Sequence, residues 1–324
     1  MFELNLKNAG SVIIFILLSA LFAFGQTENP PADMETILKK TEAQTNNYRD
    51  EFKNLLSEET KTFELFDKDG QVKKRSVVQS NFIIFQSLKD EKISSEYRDV
   101  FKVDDKNIGD SQKRSADLFE QLSKAKSVRQ ELEKIQKESS RYDKHLEISG
   151  LTLYESPIIA GGVRESFEFR ISGNETLDGA DVLVIEYRQI KPSPYILIDE
   201  KNANESQTVL NFKLDLPKLL NKSNVFLRGK LWIDVQTFQI RREERELTAN
   251  LENGAKPIVI LRDEYEYQAS DFGILVPKKI TYTFYTVKSK DKGANVIANL
   301  DTKATFEYGK FRKSNIDVKI EDEN

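Results

Sequence analysis

The chain carries one histidine, His145, and no cysteine. A Ser-His-Asp hydrolase needs an imidazole held between a hydroxyl and a carboxylate. His145 stands at the exit of an expected helix, beside Lys144 and close to Glu147, with no recognisable Ser motif nearby, and reads as a solvated, helix-terminal side chain. Without thiols there is no disulfide, no zinc–thiolate site, no cysteine nucleophile and no N-terminal cysteine for lipid attachment. A lone histidine also excludes a multi-histidine metal centre. Asp104, Asp105 and Asp110 could offer oxygens to calcium, but they lack the regular spacing and the closing bidentate Glu of a calcium loop and read as turn residues. Gly161-Gly162 is not followed by the Lys-Ser/Thr of a phosphate loop. Carboxylate pairs of the glycosidase kind arise by chance among 53 acidic residues. The glycosylation triplets at Asn174, Asn204 and Asn221 are equally common by chance. No catalytic, cofactor or metal residue is assigned, and the chain reads as non-enzymatic.

One charged constellation stands out. Arg241, Arg242 and Arg245 are interleaved with Glu243, Glu244 and Glu246 on a single extended run. Charge on both faces of a strand reads as a solvent-facing edge, and the sharper reading is an edge that docks a partner.

Periodicity sets out the elements around these groups. Over 33–58, Met34, Ile37, Leu38, Thr41, Tyr48, Phe52, Leu55 and Leu56 recur at helical spacing behind Asp33 as N-cap. Runs 59–66 and 71–78 flank Asp67-Lys-Asp-Gly70, a hairpin signal, and 81–85 and 97–103 read as further strands. A long helix is expected over 111–143, with Leu118, Leu122, Ala125, Val128, Leu132 and Ile135 on one face and charge on the other. From His145 onward extended runs dominate: 166–171, 181–188, 195–198, 225–234, 239–247, 258–267, 280–287, 304–308 and 316–320. Loops are expected at 202–206 and, as a loop or short helix, at 217–223. Such spacing suits one antiparallel meander rather than βαβ units.

The start of the chain reads as an address. An apolar run at 11–24 follows a short n-region and is shorter than the roughly 20 residues that span a bilayer. Ala23 and Gly25 are the small residues of a cut between Gly25 and Gln26, so 1–25 reads as a signal peptide; an uncleaved anchor is the alternative. Either way the body is placed outside the cytoplasm, in the periplasm or secreted. Lys plus Arg number 49 against 53 Asp plus Glu, a net charge of −4 that argues against nucleic acid as a partner.

The segment 229–243 (GKLWIDVQTFQIRRE), with Tyr265-Glu-Tyr267 and the run 272–280, resembles the bacterial outer-membrane lipoprotein-sorting (LolA/LolB-like) superfamily over 160–310. Independently of that likeness, Asp234 and Thr237 can cap a tight turn, and Trp232 and Ile240 are expected to meet across the hairpin. The N-terminal part, at 97–104 and 138–142, resembles uncharacterised secreted bacterial proteins with this type of sheet.

The expected fold is α+β: a large curved antiparallel β-sheet, a half-barrel, wrapped around two main helices. It forms a single domain over 26–324, helix-rich over 33–143 and mainly β over 145–320. The resemblance implies a binding protein for an acyl chain or lipoprotein; the alternative is an envelope protein-interaction or sensing module. A monomer without cofactors is expected. The expected lipid lining is Phe52 and Leu56 on the first helix, Phe169 and Ile185 on middle strands, and Trp232 and Phe284 further on.

Overall fold

Asp33 starts the first helix as its spacing predicts. Its Oδ1 accepts from the Thr36 amide at 3.0 Å and its Oδ2 from the Thr36 hydroxyl at 2.8 Å. This helix, α1 (Met34–Glu51), ends at Phe52 rather than at residue 58. Asn54, at φ 52°, turns the chain, and Leu55 and Leu56 then pair with Ile84 and Ile83 as the start of a strand. A pair of leucines fits a helical stripe and a buried strand equally well, so periodicity alone could not separate the two. The computed structural model describes residues 33–90, 94–143, 156–198, 210–212, 220, 224–251, 256–289 and 296–313. His145, the loops at 202–206 and 217–223, and the expected strand 316–320 lie outside the described residues, apart from Leu220.

The strands are β1 (Leu55–Phe66), β2 (Val72–Gln86), β3 (Ser94–Val103), β4 (Lys106–Asn107), β5 (Phe167–Leu177), β6 (Ala180–Gln189), β7 (Ile196–Ile198), β8 (Leu210–Phe212), β9 (Val225–Asp234), β10 (Ile240–Ala249), β11 (Ile258–Ala269), β12 (Leu275–Ser289), β13 (Val296–Tyr308) and β14 (Arg312–Lys313). Twelve of them form one open antiparallel sheet in the order β4-β3-β2-β1-β13-β12-β11-β10-β9-β6-β5, with β14 on β1; β7 and β8 pair separately in parallel. The two runs expected at 71–78 and 81–85 are one strand, β2. The β1–β2 turn is built as its residues require: Asp67 Oδ1 accepts from the amides of Asp69 and Gln71, both at 2.9 Å, and Gly70 takes φ 77°.

The single helix expected over 111–143 is two. Helix α2 (Ser111–Ser123) stops at Lys124, and α3 (Val128–Ser139) restarts behind Ser127, whose Oγ accepts from the Gln130 amide at 3.3 Å. The break lets Leu118, Leu122 and Ile135 converge on Tyr97 of β3 in a small core of their own. Glu131 ties α3 to the exit of β2 by accepting from Ser87 Oγ and the Leu88 amide, each at 2.8 Å. This helical pair therefore covers the β3 end of the sheet. The main core lies elsewhere and gathers Ile37, Leu38, Tyr48 and Phe52 of the α1 region against one face of the sheet. Between these parts run a 3-10 turn (Pro157–Ile159) and a one-turn helix α4 (Gly161–Arg164), where the Gly161 amide donates to Glu42 Oε1 at 2.8 Å. No helix among the described residues is long and apolar enough to cross a membrane.

The β9–β10 turn forms as expected, with Asp234 Oδ1 accepting from the amides of Gln236 and Thr237, both at 2.9 Å. The cross-strand contact expected there does not form. Ile240 pairs with Ile233, a bulge follows, and Trp232 stands opposite Arg242. One extra residue in the return strand shifts every later partner by one position.

Candidate functional site

Residues paired across neighbouring strands share a face, so the register sorts the expected lining. One row runs Ile171–Ile185–Leu231–Glu243–Tyr265–Ile280–Phe306–Lys61–Val78. The next runs Phe169–Tyr187–Gly229–Arg245–Asp263–Tyr282–Ala304–Phe63. Both belong to the inner face, which packs on α1. Phe169, Ile185 and Phe284 lie there, and Phe52 joins them from the end of α1, stacked on Tyr48 at 4.7 Å. Ile185 is fully enclosed, whereas Phe169 and Phe284 are half-buried.

The other two lining residues are misplaced by the sequence reading. Leu56 is on β1, not on the helix, and its partner Ile83 turns to the outer face. Trp232 also faces outward, packed with Val182, Val184 and Leu177. Its Nε1 donates to Glu175 at 2.9 Å, and the Arg242 guanidinium lies 4.8 Å from its ring. The bulge after Ile240 and the alternation of β9 give Leu231, not Trp232, to the core.

The inner face is also more polar than its aromatics suggest. The stretch around Glu243 is not a sheet edge: β10 sits between β9 and β11, with Glu243 and Arg245 buried. Glu243 Oε1 accepts from the Tyr187 hydroxyl at 2.9 Å, Ser156 Oγ at 3.1 Å, and Arg245 Nη2 at 3.0 Å. Asp263 stands 3.9 Å from Arg245 Nη1, and its Oδ1 is buried with no hydrogen-bond partner among the described residues. Burial pushes the Asp263 carboxyl up to about 7; Arg245 opposes the shift and Glu243 adds to it. Burial and the neighbouring Glu243 likewise hold the Tyr187 phenol far above its ordinary range.

A second cluster lies at the β1–β3 end. Arg98 Nε donates to Glu59 Oε1 at 2.8 Å, Arg98 Nη1 pairs with Glu96 at 3.0 Å, and Lys61 pairs with Asp143 at 2.8 Å. Burial and Arg98 together lower the Lys61 ammonium pKa against the pull of Glu59 and Asp143. The signal for both clusters is present in the chain. Glu243 with Arg245, Asp263 with Tyr265, and Glu59 with Lys61 are i, i+2 pairs that must share a face. Whether that face is wet depends on the strand's place in the sheet, which no local pattern records.

On the outer face a groove of about 750 Å³ crosses β5, β6, β9 and β10. Its lining includes Arg170, Arg188, Arg228 and Lys230 together with Glu168, Glu186, Glu244 and Glu246. The charges are paired: Arg170 and Lys230 with Glu186 at 2.6 and 3.1 Å, Arg188 with Glu168 at 2.5 Å, and Arg228 with Glu246 at 2.7 Å. Hydrogen bonds from Arg170 and Lys230 hold the Glu186 carboxyl below its ordinary range. The floor is Gly229, whose missing side chain leaves room for the Tyr187 ring beneath. A Cβ there would collide with the Glu244 carbonyl and with the Tyr187 hydroxyl.

The aspartates weighed for calcium build turns. Asp104 and Asp105 take φ 45° and 65°, Asp104 Oδ1 accepts from the Ser76 hydroxyl and the Val77 amide, and Asp110 pairs with Arg114. Among the described residues no group of three His, Asp or Glu side chains is arranged to hold a metal ion.

No protein-family model matches the chain, and no curated protein sequence does. Solved structures are similar to it. A LolA superfamily protein from Nitrosomonas europaea shares 11% identity over 88% of this chain and 96% of its own, at a TM-score of 0.32. An outer-membrane lipoprotein-sorting protein domain from Vibrio parahaemolyticus shares 12% over 85% and 91%, also at 0.32. A DUF1329 family protein from Desulfovibrio piger shares 10% over 86% and 92%, at 0.28.

Proposed function

We propose that this chain is an exported, non-enzymatic binding protein of the bacterial envelope, and that its ligand is a polypeptide segment carrying both signs of charge. The observation that carries this reading is the outer groove, lined by four basic and four acidic side chains. A lining of paired charges has no net potential to select a phosphate or a nucleic acid. It offers alternating donors and acceptors that a segment of mixed charge can exchange into. A lone histidine and the absence of cysteine support the non-enzymatic part, and the apolar run at 11–24 supports export.

The acyl-chain reading is the weaker one. Of its six expected lining residues, Leu56 and Trp232 face outward and Ile185 is fully enclosed. An acyl chain laid along the remaining inner face would run past Glu243, Arg245 and Asp263, whose burial already demands polar partners. Lipoprotein binding would survive only through the protein part of such a ligand.

Site-specific photo-cross-linking in the native envelope tests the reading, with the probe at Lys230 in the groove and at Lys303 on β13 outside it. Adducts with a polypeptide are expected from 230 and not from 303, and should disappear in Arg188→Glu/Arg228→Glu. Saturable binding of a fluorescent fatty acid at micromolar concentration, without an adduct at 230, would restore the acyl-chain reading.

A further inference from the structure

The sheet has two ends, and they are treated differently. At one end β4 is two residues long and β3 is covered by α3, where the Arg98 amide donates to Ser139 Oγ at 3.2 Å. At the other end stands β5, eleven residues long, with β6 on one side and no strand on the other among the described residues. An edge of that length presents a row of backbone donors and acceptors to any strand that fits.

Edges are commonly protected by proline, inward lysine or a bulge. β5 has a bulge between Ile171 and Gly173, but the five residues before it alternate regularly: Phe167, Phe169 and Ile171 to the inner face, Glu168 and Arg170 to the outer. Ile171 remains 38% exposed.

This five-residue run is complementary to itself in one antiparallel register. Centred on Phe169, it sets Phe169 against Phe169 of a second copy on the two-fold axis, with Phe167 against Ile171 and Glu168 against Arg170 each occurring twice around it. Centred on Glu168 or on Arg170, the same run sets like charges opposite each other. The favoured register also extends an existing pattern. Within one copy Glu168 pairs with Arg188 at 2.5 Å and Arg170 with Glu186 at 2.6 Å. Across the junction the order becomes Arg188, Glu168, then Arg170 and Glu186 of the second copy, with alternating sign throughout.

From this we infer that two copies of the chain join through β5, antiparallel and centred on Phe169, to make one continuous sheet. The inference replaces the expectation of a monomer and stands apart from the proposed ligand. Because Glu168, Phe169 and Arg170 also line the groove, the two grooves meet at the two-fold.

The test is sedimentation of the full chain over a range of concentrations, with Glu168→Arg, Arg170→Glu and the double swap. The unaltered protein should show a monomer–dimer equilibrium. Each single swap should weaken it by about tenfold or more, because like charges then face each other, and the double swap should restore it. Within one copy the double swap brings a second cation up to Arg188 and a second carboxylate up to Glu186, so recovery cannot come from improved folding. As a second readout, a mixture of Glu168→Cys and Arg170→Cys chains should form a disulfide-linked dimer under mild oxidation, a clean signal because the chain has no cysteine of its own. A protein that stays monomeric at every concentration, or a dimer indifferent to the single swaps, overturns the inference. The groove reading fails separately, through the cross-linking at Lys230.

Discussion

Asp263→Asn should stabilise the protein at alkaline pH, and the size of the effect follows from where Asp263 sits. Its carboxyl is buried, one oxygen lacks a partner, and its pKa stands at about 7 against an ordinary 3.8. The folded chain therefore holds this proton over a range in which the unfolded chain has released it. Stability from this group is full below about pH 4, falls as pH rises, and is lost once pH passes about 7. At about 1.4 kcal/mol per pKa unit, a displacement of roughly three units amounts to about 4 kcal/mol. Asparagine keeps the shape and never ionises. The stability gap between the variant and the unaltered protein should widen by about 1.4 kcal/mol per pH unit from about pH 4 to pH 7 and then level off. The attraction of Arg245, 3.9 Å away, opposes the shift and is already contained in the value of about 7, so it is not subtracted again. Urea denaturation of both proteins between pH 4.5 and 8.5 measures the gap. A gap that does not change with pH, or a variant less stable at pH 8, would refute the assignment of an uncompensated buried acid at this position.

Other changes should act through named contacts. Gly229→Ala should cost about 2–3 kcal/mol, because its Cβ meets the Glu244 carbonyl, which is backbone and cannot step aside; the denaturation midpoint reads this. Arg98→Met removes the cation between Glu59 and Glu96 and should cost about 3–5 kcal/mol, visible as a large drop in melting temperature. Ser127→Ala removes the N-cap of α3 and should cost about 1 kcal/mol, with amide exchange accelerating first over the α2–α3 pair rather than the sheet. Trp232→Ala should cost about 3 kcal/mol by emptying the outer cluster, while leaving the fluorescence anisotropy of any inner-face probe unchanged.

The chain discloses its turns more readily than its faces. Asp67 to Gly70 and Asp234 to Thr237 fold as their side chains require, because a turn is decided by residues that touch it. Leu55 and Leu56 fit two periodicities, and only the pairing with β2 settles which one holds. The α2–α3 break rests on one serine in an otherwise unbroken helical composition. Size and apolarity alone would send Trp232 inward, but a bulge one strand away and the packing of Leu231 decide its side. The groove is assembled from four strands spread over 168–246, so no short segment announces it.

The two buried ion clusters bear on how so long a sheet finds its alignment. Alternation of apolar and polar residues rejects a strand displaced by one position, since every side chain would then change face. It is blind to a displacement of two, which returns each side chain to its own face. The ion pairs remove that ambiguity. Moving β1 by two residues along β2 would separate Glu59 from Arg98 and leave a desolvated charge unmatched, at roughly 3–5 kcal/mol. Moving β6 by two residues along β9 would carry the Tyr187 hydroxyl away from the buried Glu243 carboxylate. The apolar pattern distinguishes odd displacements and the charges distinguish even ones, so together they proofread the assembly of the sheet.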